Sequence, residues 1–250
     1  MIAVTRQHTA DRINAVVNDP SVRPWVANDT SALDLTARVA DTNNILLMGE
    51  HGGCMFYPLM PGIYEVHTQV TRQGRGEWTQ RLTEACAHWM FVRTPCYEIM
   101  TRVPHGHIAA RAAAVAAGMR FDFTRPQECR FRNHLVDVHI YSYRIQDWVG
   151  RAASLVEVGR AFHDFLHQEG ARLGVTDAHP EDDNHNHYVG AVVDMVWHGQ
   201  VQKAVNFYNR WAQISRHEPI TLLSVSPPTV KIDHGLCVTL RNNRFEVSRD

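Results

Sequence analysis

Three apolar stretches set the pattern of the first half of the chain. Asn44 to Glu50 and Gly53 to Leu59 are short apolar runs, and His51-Gly52-Gly53 between them has the residue types of a hairpin turn. Pro61-Gly62 turns the chain into Ile63 to Val70, where apolar and polar residues alternate as on a strand. These runs predict an antiparallel meander. Glu77 to Met90 then reads as a helix, broken at Thr94-Pro95, and Cys96 to Val103 as a strand. Strand, helix and strand at this separation imply a parallel, right-handed crossover. Ile108 to Ala117 is an alanine-rich helix stopped by Gly118, and Met119 to Phe123 is a further strand. Leu135 to Tyr143 alternates, with Val136, Val138 and Ile140 on one face and Asp137, His139, Tyr141 and Tyr143 on the other. Upstream, Met1 to Thr5 reads as a short strand, Thr9 to Asn18 as a helix stopped by Asp19-Pro20, and Leu33 to Ala40 as a short helix.

The pattern changes after Asp147-Trp148-Val149. Ala152 to Gly170 is an amphipathic helix, with Leu155, Val158, Phe162, Phe165 and Leu166 on its apolar face. Gly174 to Asn186 is polar and acidic. Tyr188 to Ser215 has helical spacing interrupted by Gly199, and Trp197, Phe207, Tyr208 and Trp211 fall on its core side. Four short strands follow: Ile220 to Val225, Thr229 to Ile232, Cys237 to Leu240 and Phe245 to Val247. The expected organisation is two domains, 1–148 and 149–250. There is no internal repeat.

Composition narrows the function classes. The chain has 250 residues, 44% of them hydrophobic, a net charge of −1 and a pI near 7.0. That balance implies no bulk field for nucleic acid or membranes. No apolar run approaches spanning length, and Met1 to His8 lacks signal-peptide architecture. Cys54, Cys86, Cys96, Cys129 and Cys237 are scattered and form no Cys-x-x-Cys pair, which points to free thiols in a reducing compartment, the cytoplasm.

The candidate chemistry sits between the strand Ile63 to Val70 and the helix from Glu77. The loop Arg72-Gln73-Gly74-Arg75-Gly76 is glycine-rich. A strand ending in Gly-x-Gly and feeding a helix turns backbone N–H groups inward, and the helix start adds partial positive charge. Arg72 and Arg75 would add charge-assisted bonds to phosphate. An ordinary turn uses the same residues, so the surroundings decide.

Tyr64-Glu65-Val66-His67-Thr68, the arginine and glycine residues after it and the alanine-rich helix resemble the acetyl-CoA-binding core of the GNAT acetyltransferases. That family's loop reads Gln/Arg-x-x-Gly-x-Gly/Ala; here it is Thr71-Arg72-Gln73-Gly74-Arg75-Gly76. Both glycines match, and Thr71 departs from the first position. The order of elements is also the GNAT order over about residues 1–148. The resemblance implies an α/β fold, a mixed central sheet with flanking helices, followed by a smaller α+β domain. It implies acetyl-CoA as cofactor, with its diphosphate on the amides of Gln73, Gly74, Arg75, Gly76, Glu77 and Trp78. Gln69 or Thr71 would offer carbonyls to the pantetheine arm where the fourth and fifth strands splay. Arg72 and His107 complete the expected cofactor set.

Direct transfer to an amine needs a base, backbone donors to the carbonyl and an acid for the thiolate. Glu65 and His67 are i,i+2 on one strand face and are the base candidates; a simple cross-strand pair is the alternative. The family's fourth helix often carries Asn-x-x-Ala-x-x-x-Tyr-x-x-x-Gly. Aligned on Gly118, this places His107 at Asn, Ala110 at Ala and Ala114 at Tyr. The tyrosine is absent, so the acid falls to Tyr141, or to Tyr143, His105 or His107. Asn18-Asp19-Pro20-Ser21-Val22-Arg23-Pro24 is similar to a connection in phage-encoded GNAT-like proteins, near the acceptor side; the alternative is a loop with one buried Trp25.

A second constellation lies downstream. His163 and His167 are i,i+4 on a helix, a metal-ligand spacing that His185 and His187 would complete. A solvated loop and helix surface account for the same residues. The leading expectation is an acetyl-CoA-dependent N-acyltransferase acting on a small-molecule, protein or nucleobase amine. A non-catalytic GNAT scaffold, in a phage particle or inhibiting a host system, and a metal-dependent enzyme are the rivals. Homo-oligomerisation stays open.

Overall fold

The computed structural model describes residues 2–27, 31–131, 134–151, 153–175 and 183–249. Its contacts divide the chain into two units, Met1–Met90 with Cys96–Ile145, and Phe91–Pro95 with Gln146–Asp250.

In the first unit, β1 (Thr5–Gln7), β2 (Ile45–Met48), β3 (Gly52–Met60) and β4 (Ile63–Val70) form successive antiparallel pairs. β5 (Glu98–Pro104) lies parallel to β4, and β7 (His134–Arg144) joins β5 to the edge strand β6 (Arg120–Phe131). Among the described residues the sheet order is β1-β2-β3-β4-β5-β7-β6. All four residues of β2 are buried. On one face α1 (Asp11–Val17) sets Ile13, Val16 and Val17 against Leu46, Met48 and Met55. α4 (Glu77–Arg93) carries the crossover from β4 to β5, burying Leu82, Cys86 and Met90. α5 (Ile108–Ala116) follows β5; between α1 and β2 lie the short α2 (Arg23–Val26) and α3 (Thr36–Ala40).

The second unit holds a four-stranded sheet of order β11-β10-β9-β8 and the helices α7 (Ala153–Arg172), α8 (Asp183–Trp197) and α9 (Val201–Ser215), preceded by α6 (Ile145–Val149). Its strands are β8 (Thr221–Val225), β9 (Pro228–Lys231), β10 (Leu236–Arg241) and β11 (Arg244–Arg249). Asn242 and Asn243, at φ 49° and 57°, give the β10–β11 hairpin the left-handed turn that matches strand twist. Lys203 is buried at 6% exposure and donates to the carbonyls of Phe91 and Thr94. Its Nζ thus satisfies carbonyls at and just past a helix end, which have no partner inside the helix.

Several expectations shift. The first strand is Thr5–Gln7, the segment that pairs with Leu46 to Met48. The last helical stretch is two helices, because Gly199 takes φ +79° and ends α8. α8 begins at Asp183, so the polar run ends sooner than its composition suggests, and 176–182 lie outside the described residues. Trp25 is 38% exposed rather than buried, and Trp197, expected in the core, is 46% exposed. β7 is buried on both faces at its end, where β5 and β6 flank it, so Tyr141 and Tyr143 are both in the interior. Among the described residues, no helix is long and apolar enough to cross a membrane.

α7 and α8 touch backbone to backbone. A Cβ on Gly159 would lie 2.0 Å from the Asn186 carbonyl oxygen, and one on Gly190 2.0 Å from that of Leu155. Gly190→Ala therefore forces the helices apart and should cost about 1–3 kcal/mol in urea unfolding. Gly150→Ala, whose new methyl would approach nothing nearer than 3.7 Å, should change stability by no more than about 0.5 kcal/mol.

Candidate functional site

The site begins where two strands part. β4 and β5 pair at Ile63–Glu98, Tyr64–Ile99 and Glu65–Met100, and no further pair forms. Beyond that point β4 continues to Val70 and β5 to Pro104 with a cleft of ≈ 960 Å³ beside them. Alanines of α5 line one wall, and Val22 and Trp25 line another side. A Cβ on Gly52 would fall 2.2 Å from the Gln69 carbonyl oxygen, and the Thr71 amide donates to His51 O at 2.9 Å. Gln69 and Thr71 therefore turn their main chain toward β3. Because strand groups alternate sides, Thr68 and Val70 present theirs to the cleft. The carbonyls expected from Gln69 or Thr71 are thus engaged elsewhere. What Gln69 does offer is its side chain, whose Oε1 is buried in the cleft wall and accepts no hydrogen bond among the described residues.

The turn at the end of β4 divides its glycines between two tasks. Gly74 is buried, and a Cβ there would meet Val70 Cγ1 at 2.5 Å, His51 Cβ at 2.7 Å and the Trp78 ring at 2.8 Å. Its N–H donates to Thr71 O at 3.0 Å, and that of Arg75 to Arg72 O at 3.4 Å. Gly74 is a packing residue. Gly76 has φ +79° and open space where a side chain would stand. The N–H groups of Gly76, Glu77, Trp78 and Thr79 make no hydrogen bond among the described residues, because Gln80 N is the first to bond back, to Gly76 O at 3.2 Å. These are the unpaired donors of a helix start.

Of the residues expected to hold a cofactor, Gln69, Arg75, Gly76, Glu77 and His107 line the cleft. Thr71, Gly74 and Trp78 pack behind it, toward the β2–β3 turn, and Arg72 and Gln73 are exposed. Arg75 reaches Ser21 O at 2.6 Å, and Glu77 pairs with Arg81 one turn along α4.

Glu65 is 3% exposed and held on two sides. Arg102 from β5 donates to both its oxygens, each at 2.8 Å, and His67 Nε2 lies 2.9 Å from Oε1. Burial opposes ionisation, but the His67 and Arg102 hydrogen bonds and charges win, lowering the carboxyl to about 2. At neutral pH Glu65 is therefore an acceptor only. His67 Nε2 must donate to it, and an imidazole that donates from Nε2 to the carboxylate has Nδ1 as its other polar edge. His67 lines the cleft and Glu65 lies behind it. Of the two base candidates, only His67 borders the cleft, while Glu65 is committed to Arg102 and His67. Arg102 was absent from the expected set: it meets Glu65 only through strand register, 37 residues away.

The expected acid, Tyr141, does not line the cleft; its ring meets Phe121 edge-on at 5.7 Å. Tyr143, two residues on, does. Ala114 lines the same wall and is 7% exposed. His107 caps α5, accepting from Ala110 N at 3.1 Å, and its ring lies 4.4 Å from that of Trp25. His105 bonds instead to His139 at 2.8 Å.

In the second unit His163 and His185 meet ring to ring at 4.8 Å, and His163 Nδ1 lies 2.8 Å from Asn186 Oδ1. His167 is exposed and His187 half-buried. Among the described residues no three His, Cys, Asp or Glu side chains are grouped to hold a metal ion.

No family model matches the sequence, and no characterised protein matches it at the level of sequence. Solved structures do match the fold. A point mutant of the spermidine N-acetyltransferase SpeG from Vibrio cholerae aligns with a TM-score of 0.50 and 10% identity, over 60% of this chain and 99% of that one. The same enzyme in complex with CoA and spermine aligns at 0.50 and 10% identity, over 59% and 97%. A chimera of it with hSSAT gives 0.51 and 10%, over 60% and 98%. The chain therefore contains the fold of the GNAT acetyltransferases.

The Glu65 site sets an acid limit on stability. The folded carboxyl titrates near 2 against an ordinary 4.5. Between those values the unfolded chain binds the proton and the folded one does not, so stability is full above about pH 4.5 and falls as pH drops toward 2. Acid titration of urea stability should show a loss of roughly 2 kcal/mol from this group, reduced for the half-exposed Arg102 and His67 partners. Glu65→Gln should be less stable at pH 7 and flatter between pH 4.5 and 2; an unchanged slope would assign the acid sensitivity elsewhere.

Proposed function

We propose that the chain is an acetyl-CoA-dependent N-acyltransferase acting on an amine. The observation that carries this reading is the parted β4–β5 edge, with unpaired amides of Gly76 to Thr79 at its end. Main-chain groups of Thr68 and Val70 would pair with the pantetheine arm, and Gln69 Oε1 would accept from one of its amides. The Gly76–Thr79 amides would hold the diphosphate, with the exposed Arg72 alongside.

The amine nitrogen attacks the thioester carbon while His67 Nδ1 takes its proton, and the Glu65 carboxylate stabilises the resulting imidazolium. Main-chain N–H groups on the open side of β4 polarise the carbonyl. The carbon–sulfur bond breaks as the tetrahedral centre collapses, and Tyr143, whose side chain borders the cleft, would protonate the thiolate. Trp25 and His107 form an aromatic wall that suits a cationic amine. A spermidine N-acetyltransferase shares the fold, which supports a small amine as acceptor. Residues 1–148 would carry the reaction; a phage setting rests only on the Asn18 to Pro24 connection.

One observation favours a second reading, a scaffold without catalysis. α5 lines the cleft with alanines, and Ala114 stands where the family often has tyrosine.

Calorimetry and an amine-dependent thiol-release assay separate the two. Gly76→Asp keeps a residue that tolerates positive φ but places a carboxylate at the turn; it should weaken acetyl-CoA binding at least about tenfold, while Gly76→Asn stays within about threefold. His67→Ala should leave the acetyl-CoA Kd unchanged and lower kcat about 100-fold. Binding without turnover on any amine would favour the scaffold, and absence of acetyl-CoA binding would remove the acyltransferase.

A further inference from the structure

The second unit contains a cavity that the acyl-transfer reading does not use. Its volume is ≈ 700 Å³, between α7, α8 and the sheet, and ligand pockets span roughly 300–1,000 Å³. Phe162, Val192, Val193, Val230, Ile232 and Leu240 line it, and every one is only half-buried. The apolar side chains of this unit fall into two clusters, one around Trp211 and Ile220, the other around Leu236 and Val238. Phe162, Val230 and Ile232 belong to the edge of both. A close-packed interior would join them; here space remains between the helices and the strands.

The polar groups of the cavity wall are histidines in the main. His163, His167, His185, His217 and His234 all reach its wall, five of the sixteen histidines in the chain. His185 is 7% exposed, lies 4.5 Å from the His217 ring and 3.3 Å from the Tyr208 hydroxyl. Arg216 and Glu218 are the arginine and the carboxylate of the lining, and both are exposed. The Arg216 N–H donates to Ala212 O, but its guanidinium makes no hydrogen bond or ion pair among the described residues. Arg216 also occupies the left-handed end of α9 at φ 60°, where glycine is the favoured residue. A guanidinium without a partner beside an apolar space offers the chemistry that a negatively charged head group with an apolar tail would use.

We propose that this cavity binds an aliphatic carboxylate, its chain among the valines and Phe162 and its head group at Arg216 and the histidines. The site is independent of the acyl-transfer reading. Glu218 opposes a carboxylate, and the Arg216 guanidinium offsets it in a bidentate contact, to which an imidazole N–H adds a further bond.

The test is calorimetry on the full chain with decanoate and with decanol, which shares the apolar body without the charge. Decanoate should bind saturably, one per chain, about tenfold tighter than decanol. Arg216→Gly relieves the backbone, so it should raise Tm while weakening decanoate about tenfold and leaving decanol unchanged; a rise in Tm excludes misfolding as the cause. Val193→Trp, which fills the space, should abolish both. The proposal fails if decanoate does not saturate, if decanol binds equally well, or if Arg216→Gly leaves the decanoate affinity intact.

Discussion

The candidate site depends on one ion pair at the point where two parallel strands separate. Past Glu65 and Met100, β4 and β5 no longer share main-chain hydrogen bonds. The bidentate contact from Arg102 to Glu65 spans the two strands at that fork. A carboxylate this deeply buried would be costly alone, and two charge-assisted bonds from Arg102 with a third from His67 offset the cost. The same contacts that hold the fork also fix the tautomer of the histidine in the cleft. The Glu65 carboxylate therefore ties the strand fork and the His67 ring together in a single arrangement.

The turn after β4 separates two properties of glycine that a motif runs together. Gly74 is needed because Val70, His51 and Trp78 close around it. Gly76 is needed because the backbone takes a positive φ before the first turn of α4. Only the second leaves amides unpaired at the helix start. The packing at Gly74 orients α4, so both are required to present those donors, by different routes.

The two units handle polar groups in opposite ways. In the cleft, Glu65, His67 and Arg102 satisfy one another and leave main-chain groups open. In the second unit, imidazoles cluster by stacking, His185 against Trp211 at 5.1 Å and against His217 at 4.5 Å, and the space left beside them is apolar. Such stacking places polar edges at one end of an apolar volume.

Local pattern determined much of this protein. The alternation in Ile63 to Val70, the break at Thr94-Pro95 and the stop at Gly118 are encoded over a few residues, and the elements lie close to where those signals put them. Glu65 and His67 share a face because strand side chains alternate, and the sequence alone implies that. Tertiary structure decided what depends on register and on burial. Arg102 reaches Glu65 only once β5 lies beside β4, and Tyr143 rather than Tyr141 meets the cleft only once the strands have parted. The unused amides became those of Gly76 to Thr79 because Gly74 was drawn into packing. A short stretch of chain carries its periodicity and its turn chemistry in its own residues; which distant side chain completes a site is settled by the pairing of strands, and that information lies in no single segment.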